Sequence, residues 1–104
     1  MHQIDWADLP ADITEGFNRF HADNPQVFAR LVEMTRTVSG SGRKRIGMKM
    51  LFEVLRWEYF LATDSDEPFK LNNNYTAFYV RLIEQRHPEL RGIFAKRRSV
   101  SDQD

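Results

Sequence analysis

Residues 72–87 read NNNYTAFYVRLIEQRH and carry the clearest helical pattern in the chain. Apolar side chains recur there at intervals of three and four residues, which places them on one face of an α-helix. The members of this stripe are Tyr75, Phe78, Tyr79, Leu82 and Ile83. Three asparagines precede the stripe and favour a helix start, whereas Pro88 disfavours helical angles at the residue before it. The pattern predicts an amphipathic helix over 72–87.

Three further helices are predicted upstream. An acidic capping pair and apolar residues at helical spacing predict a helix from about Ile13 to Ala22. Asn24 and Pro25 are start signals for a second helix, which ends at the glycine- and serine-rich connector 39–42. A third helix, from about Met48 to Ala62, carries two apolar stripes and is predicted to lie at the centre of the core. Its second stripe comprises Met50, Val54, Trp57 and Leu61.

Short extended pieces complete the predicted fold. Residues 69–71 alternate apolar and polar side chains as a strand does, and residues 93–98 are predicted to form a short basic strand. This order of elements resembles a winged-helix domain, a form of helix-turn-helix. The fold class is therefore mainly α with a small β component: a single domain, 1–104, of four helices with a winged-helix-like C-terminal half. It comprises an acidic helical part (1–42), a basic winged-helix-like part (43–98) and a polar tail (99–104).

Composition limits the classes of function. The chain has 104 residues, a formal net charge of zero and 41% hydrophobic residues, which is typical of one folded domain. It has no cysteine, which excludes a disulfide framework, a thiolate metal site and a cysteine nucleophile. Neither a secretory signal nor an apolar run of about 18 residues, the length that spans a membrane, is present in the sequence. We therefore expect a cytoplasmic protein that does not bind a membrane.

The charges are unevenly distributed along the chain. Residues 1–40 hold six acids against three arginines, whereas residues 69–100 hold seven cations against two acids. In a winged-helix domain the second helix of the pair enters the major groove and a basic hairpin contacts phosphates. The predicted nucleic-acid-binding residues are Asn73, Asn74, Thr76, Ala77, Arg81, Lys96, Arg97 and Arg98.

Each of these signals also has a structural explanation. Every amphipathic helix needs a polar face, basic tails are commonly only solvated, and at least one asparagine of 72–74 is expected to cap the helix. Trp57, Tyr59 and Phe60 would suit base stacking, but their helical spacing favours core packing.

The chain lacks the residue patterns of an active site or a metal site. Asp64, Asp66 and Glu67 lack the roughly 12-residue loop of a calcium hand, so a solvated loop is the favoured interpretation. The three histidines have no paired spacing for zinc and no nucleophile motif beside them. We therefore predict no catalytic residues, no metal, no cofactor and no enzymatic activity.

Four segments carry a resemblance to a known family: FNRFHADNP (17–25), LRW (55–57), FKLNNN (69–74) and RHPELRGIFAKR (86–97). In these segments the chain resembles a family of small uncharacterised bacterial and phage or prophage proteins. The family has no established activity, so the resemblance implies a mobile-element context and supplies no catalytic residues. Gly47 departs from the pattern, because a serine-like helix cap is expected there.

Together these features predict a non-enzymatic nucleic-acid-binding protein, with DNA favoured over RNA, that acts as a phage or prophage regulator or accessory factor. The alternative is a phage protein-interaction module that inhibits a host enzyme or defence complex through its acidic N-terminal half or the acidic loop 64–67. A third class is a metal-dependent nuclease that uses the same loop. The oligomeric state is left open by the sequence.

Overall fold

The computed structural model describes residues 11–66 and 69–95, which are mainly helical. The helices are α1 (Ala11–Asp23), α2 (Pro25–Gly40), α3 (Met48–Ala62) and α4 (Thr76–Arg86). Single 3₁₀ turns at Asn73–Tyr75 and Pro88–Leu90 flank α4. The described chain therefore confirms a mainly α fold of four helices. The bounds of α3 agree with the sequence prediction, and α4 begins later because the asparagine run forms its own 3₁₀ turn.

The junction between α1 and α2 is closed by Asn24. Its Nδ2 donates at 3.0 Å to the carbonyl oxygen of Phe20, which also accepts the backbone N–H of Asn24 at 2.9 Å, so both bonds close the end of α1. Its Oδ1 accepts from the side chain of Gln26, and no side-chain bond caps the first turn of α2. Pro25 takes the first position of α2, where no N–H is needed. The predicted start of the second helix is confirmed, but capping of that helix by the Asn24 side chain is wrong.

The apolar face of α4 lies at the centre of the core. Its buried apolar side chains are Phe78, Tyr79, Leu82 and Ile83. Phe17 of α1 stacks on Phe78 and meets Tyr79 edge-on, and α4 also packs on α2 and α3. The stripe predicted from the sequence is thus confirmed, with Tyr75 at its N-terminal end only half-buried.

α3 buries one of its two apolar stripes and exposes the other. The side chains that face the core are Met48, Leu51, Phe52 and Leu55. Met50, Trp57 and Leu61 of the second stripe are exposed. The predicted position of α3 at the centre of the core is therefore wrong, because only one side of this helix is covered by the described chain.

Residues 69–71 form a tight turn, so the strand predicted there is wrong. The N–H of Leu71 donates to the carbonyl oxygen of Phe69 at 2.8 Å, an i to i+2 bond of the γ-turn type. That bond uses the N–H of Leu71 and the carbonyl oxygen of Phe69, which a strand would offer to a neighbouring strand. Leu71 is buried and joins the core, so alternation in this segment reflects one anchoring side chain and no sheet.

One isolated parallel bridge joins the connector before α3 to the chain after α4, at Ile46 and Phe94. The N–H of Ile46 donates to the carbonyl oxygen of Ile93 at 2.9 Å, and the N–H of Ala95 donates to the carbonyl oxygen of Ile46 at 2.8 Å. The strand predicted over 93–98 is represented among the described residues by this bridge alone, since residues 96–98 lie outside them.

Candidate nucleic-acid interface

The bridge between Ile46 and Phe94 brings two basic segments to the same end of α3. Their cationic side chains, all exposed, are Arg43, Lys44, Arg45 and Arg91. We call these four residues the basic surface. None of them forms a side-chain ion pair with another described residue.

The turn that carries Arg91 is held by a buried carboxylate. Glu84 lies on α4 and accepts the N–H of Gly92 at 3.3 Å. Gly92 has a φ of 93°, in the left-handed region that favours glycine. Glu84 is buried and fixes the path from α4 to the bridge. This anchoring positions one member of the basic surface.

The asparagines before α4 are used to begin the helix. Asn72 Oδ1 accepts the backbone N–H of Asn74 at 2.8 Å, so capping by at least one asparagine is confirmed. Asn73 Oδ1 accepts from the Arg56 guanidinium at 2.6 Å, which ties this side chain to α3. The same guanidinium donates to the carbonyl oxygen of Leu71 at 2.7 Å. Of the three amides, Asn74 is therefore the best placed to meet a ligand.

Five of the eight predicted binding residues are described by the structure. Asn73, Asn74, Thr76 and Ala77 lie together at the start of α4, and half-buried Arg81 follows on that helix. Lys96, Arg97 and Arg98 lie outside the described residues.

The asparagine cluster and the basic surface occupy different positions along α3. Asn73 contacts Arg56, eight residues after Met48, so it lies about 12 Å along the helix from the end with the basic surface. The binding residues predicted from the sequence do not include Arg43, Lys44 or Arg45. The run itself was visible in the sequence, but its junction with Arg91 depends on a pairing that no local pattern reveals.

A groove of about 580 Å³ lies between α2 and α3 and is bordered by an ion-paired cluster. Arg30 donates to both carboxylate oxygens of Glu58, at 3.0 and 2.6 Å, and pairs with Glu33 at 2.7 Å. The hydrogen bond from Arg30 lowers the pKa of the Glu58 carboxyl. Because two carboxylates already hold this cation, the groove offers no free positive charge to an anionic ligand.

Comparisons with family models, curated proteins and solved structures found no match. The family resemblance remains a prediction. A function must therefore be argued from the geometry of the chain itself.

The titratable residues of the described chain do not form a metal-binding cluster of three or more ligands. His21 stacks on Phe17, and burial, followed by the charge of Arg86, lowers the pKa of its imidazole. Asp64 and Asp66 are exposed, as expected for a solvated loop. No described helix has both the length and the apolar character needed to cross a membrane.

Proposed function

We propose that this protein binds nucleic acid, DNA in preference to RNA, through the basic surface. The observation that carries this proposal is the bridge between Ile46 and Phe94, which gathers four exposed cations at one end of α3. Phosphate contacts dominate nucleic-acid affinity, because each neutralised phosphate releases condensed counterions. In this proposal the cations that follow Ala95 in the sequence, Lys96 to Arg98, add to the same binding region.

The proposed base-contacting element is the start of α4, in a winged-helix-like arrangement with the chain after Ala95 as the wing. Asn74 and Ala77 are exposed there. An asparagine amide pairs with adenine in the major groove, and an alanine methyl suits the methyl group of thymine. Asn73 contributes less, because its Oδ1 already accepts from Arg56.

The biological role proposed for this binding is that of a regulator or accessory factor without enzymatic activity. Its phage or prophage setting is supported by the family resemblance alone. Genomic neighbours of phage origin would support that setting, and a consistent location among housekeeping genes would oppose it.

Fluorescence anisotropy with a labelled random duplex tests the binding proposal directly. We expect the observed association constant to fall as salt rises, with a log–log slope of about −0.9 for each phosphate contact. The double variant Lys44→Ala/Arg45→Ala should therefore weaken binding and flatten the slope by about 1.8. Titration with single-stranded RNA of the same length tests the DNA preference, and an affinity equal to that for the duplex would contradict it.

A matched control separates the surface from the net charge. Arg19→Ala/Lys70→Ala also removes two exposed cations, but Phe20 and Phe69 place these positions near the other end of α3. We expect this variant to bind nearly as well as the parent chain. Equal losses from both variants, or no binding by the parent chain at low salt, would remove the basic surface as a nucleic-acid interface.

A second candidate function is a protein-interaction module, favoured by the exposed apolar side chains of α3. Contiguous apolar surface commonly marks a protein-interaction site. The form of this candidate that inhibits a host enzyme would use exposed Asp64 and Asp66, which would mimic the charge of a nucleic acid. Loss of a captured host enzyme on Asp64→Lys would support that form.

A further inference from the structure

The exposed large hydrophobic side chains of the described residues are concentrated on α3. They are Met50, Trp57, Phe60 and Leu61, with exposed fractions of 63%, 59%, 67% and 64%. Trp57 stacks on Phe60 with ring centroids 5.9 Å apart. Half-buried Val54 completes the row, and we call these five residues the α3 stripe.

The α3 stripe has the geometry of a helix-packing surface. Positions 50, 54, 57 and 61 follow the three- and four-residue spacing that keeps side chains on one face of a helix. The distance from Met50 to Leu61 along the helix is about 16 Å. The opposite face already packs on the core through Phe52 and Leu55. The stripe is therefore a second packing face that the described chain leaves open.

The two ends of α3 carry charges of opposite sign. Residues 43–49 contain four cations and no acid, and Lys49 lies in the first turn of α3. Residues 57–66 contain three acids and no cation. Glu58 is paired with Arg30, so exposed Asp64 and Asp66, which follow the helix end, give this end its negative charge. A surface of this kind is complementary to a reversed copy of itself.

We propose that the α3 stripe binds the α3 stripe of a second copy of this chain, with the two helices antiparallel. This arrangement places Lys49 of each copy near Asp64 of the other, so both ends of the interface gain opposite charges. A parallel pair would bring like charges together at both ends. The antiparallel pair is a closed twofold interface in which each copy supplies the same surface.

The charges also argue against a membrane as the occupant. An amphipathic helix that binds anionic lipid is flanked mainly by lysine and arginine, and acidic residues near the lipid surface oppose binding. Here the stripe is bordered by exposed Asp64 and by Glu53 and Glu58, which are paired with Arg56 and Arg30. A protein surface with both signs of charge fits this border better.

The expected dimer is weak. One helix face buries less than the roughly 800 Å² per partner of a standard protein interface, so we expect a micromolar dissociation constant. Trp57 lies near the middle of the stripe, where an aromatic side chain contributes most to binding. Each copy keeps its own basic surface, and the two surfaces lie at opposite ends of the helix pair.

Sedimentation velocity of the full chain over a wide concentration range, without nucleic acid, tests this proposal. We expect a monomer–dimer equilibrium, and Trp57→Ala should raise the dimer Kd by roughly thirtyfold or more. Leu61→Ala should act in the same direction. Because both side chains are exposed, circular dichroism and thermal unfolding should show that the monomer fold is retained.

A charge exchange tests the antiparallel orientation. Lys49→Glu alone would place two acids together at each end, and Asp64→Lys alone would place two cations together, so each variant should dimerise several-fold more weakly. A mixture of the two variants restores opposite charges at both ends and should dimerise as well as the parent chain. In a parallel pair, either single variant would keep like charges together at both ends and dimerise as the parent chain does. Weakening by each variant alone, together with recovery in the mixture, is therefore specific to the antiparallel pair.

Four results would overturn the proposal. The first is a monomer at every concentration, and the second is a dimer whose Kd is unchanged by Trp57→Ala. The third comes from Trp6→Phe, which leaves Trp57 as the only tryptophan. A short-wavelength emission in a monomeric sample would show that the chain itself covers the stripe. The fourth is binding of a monomer to phosphatidylserine vesicles, which would assign the stripe to lipid. The nucleic-acid proposal is tested separately, because none of these variants alters a residue of the basic surface.

Discussion

Replacing Tyr79 with phenylalanine is expected to stabilise this protein. Tyr79 is 0% exposed, and its hydroxyl has no hydrogen-bond partner among the described residues. Burial, followed by the charge of Tyr75, raises the pKa of this hydroxyl. Phenylalanine keeps the ring that meets Phe17 and Phe52 edge-on and removes only the oxygen.

The size of the effect follows from two opposing contributions. A buried polar group without a partner costs about 1–3 kcal/mol, which the substitution removes. The missing oxygen leaves a small void and loses its van der Waals contacts, which costs about 1 kcal/mol or less. We therefore expect the free energy of unfolding of Tyr79→Phe to rise by about 1 kcal/mol, equivalent to a Tm increase of about 4 °C or more.

Urea and thermal unfolding followed by circular dichroism measure this change. Tyr75→Phe is the matched control, because Tyr75 is only half-buried and should change the free energy of unfolding by less than about 0.5 kcal/mol. A Tyr79→Phe protein that unfolds at a lower urea concentration with an unchanged m value would refute the reasoning. The Tyr79 hydroxyl of the parent chain would then have been a favourable hydrogen-bonding group.

Three further predictions concern α1 and the start of α4. Burial lowers the pKa of His21 below its ordinary value of 6.5, so the unfolded chain binds the proton more readily. Urea unfolding should therefore show stability falling from about pH 7.5 to about pH 5, less steeply in His21→Phe, and an equal slope would contradict this. A Cβ on Gly16 would lie 2.9 Å from the Tyr75 hydroxyl. Gly16→Ala should thus gain its helix-propensity benefit of about 1 kcal/mol only in a Tyr75→Phe background, and additive effects in a double-mutant cycle would contradict this. Asn72→Ala, which removes the cap, should lower the free energy of unfolding by about 1 kcal/mol, and Asn73→Ala should cost less; the reverse order would disprove the capping role.

The helices were predictable because their signals are local. Apolar spacing alone placed the buried face of α4. Pro25 marked the start of α2 and Pro88 the end of α4 through a backbone constraint that no tertiary contact changes. Asn24 shows where local signals become ambiguous. Its side chain was equally suited to either flanking helix, and it bonds to the end of α1.

The surfaces were less predictable because they depend on tertiary contacts between elements that are distant in the sequence. Two apolar stripes on α3 were consistent with a central helix, and only the positions of α2 and α4 show that the second stripe is left uncovered. The basic surface depends on the pairing of Ile46 with Phe94, which are distant in the sequence. The apolar–polar–apolar order of residues 69–71 suggested a strand, but a turn with buried Leu71 has the same order.

The bridge at Ile46 and Phe94 has a consequence for the chain during its synthesis. Arg45 and Arg91 are 46 residues apart, so at about 5–20 residues per second a ribosome adds the second arginine several seconds after the first. The full set of cations meets only once α4 has packed and the turn at Gly92 has closed. A half-made chain thus carries only part of this charge among the messenger and ribosomal RNA around it, and the complete basic surface forms only when folding is complete.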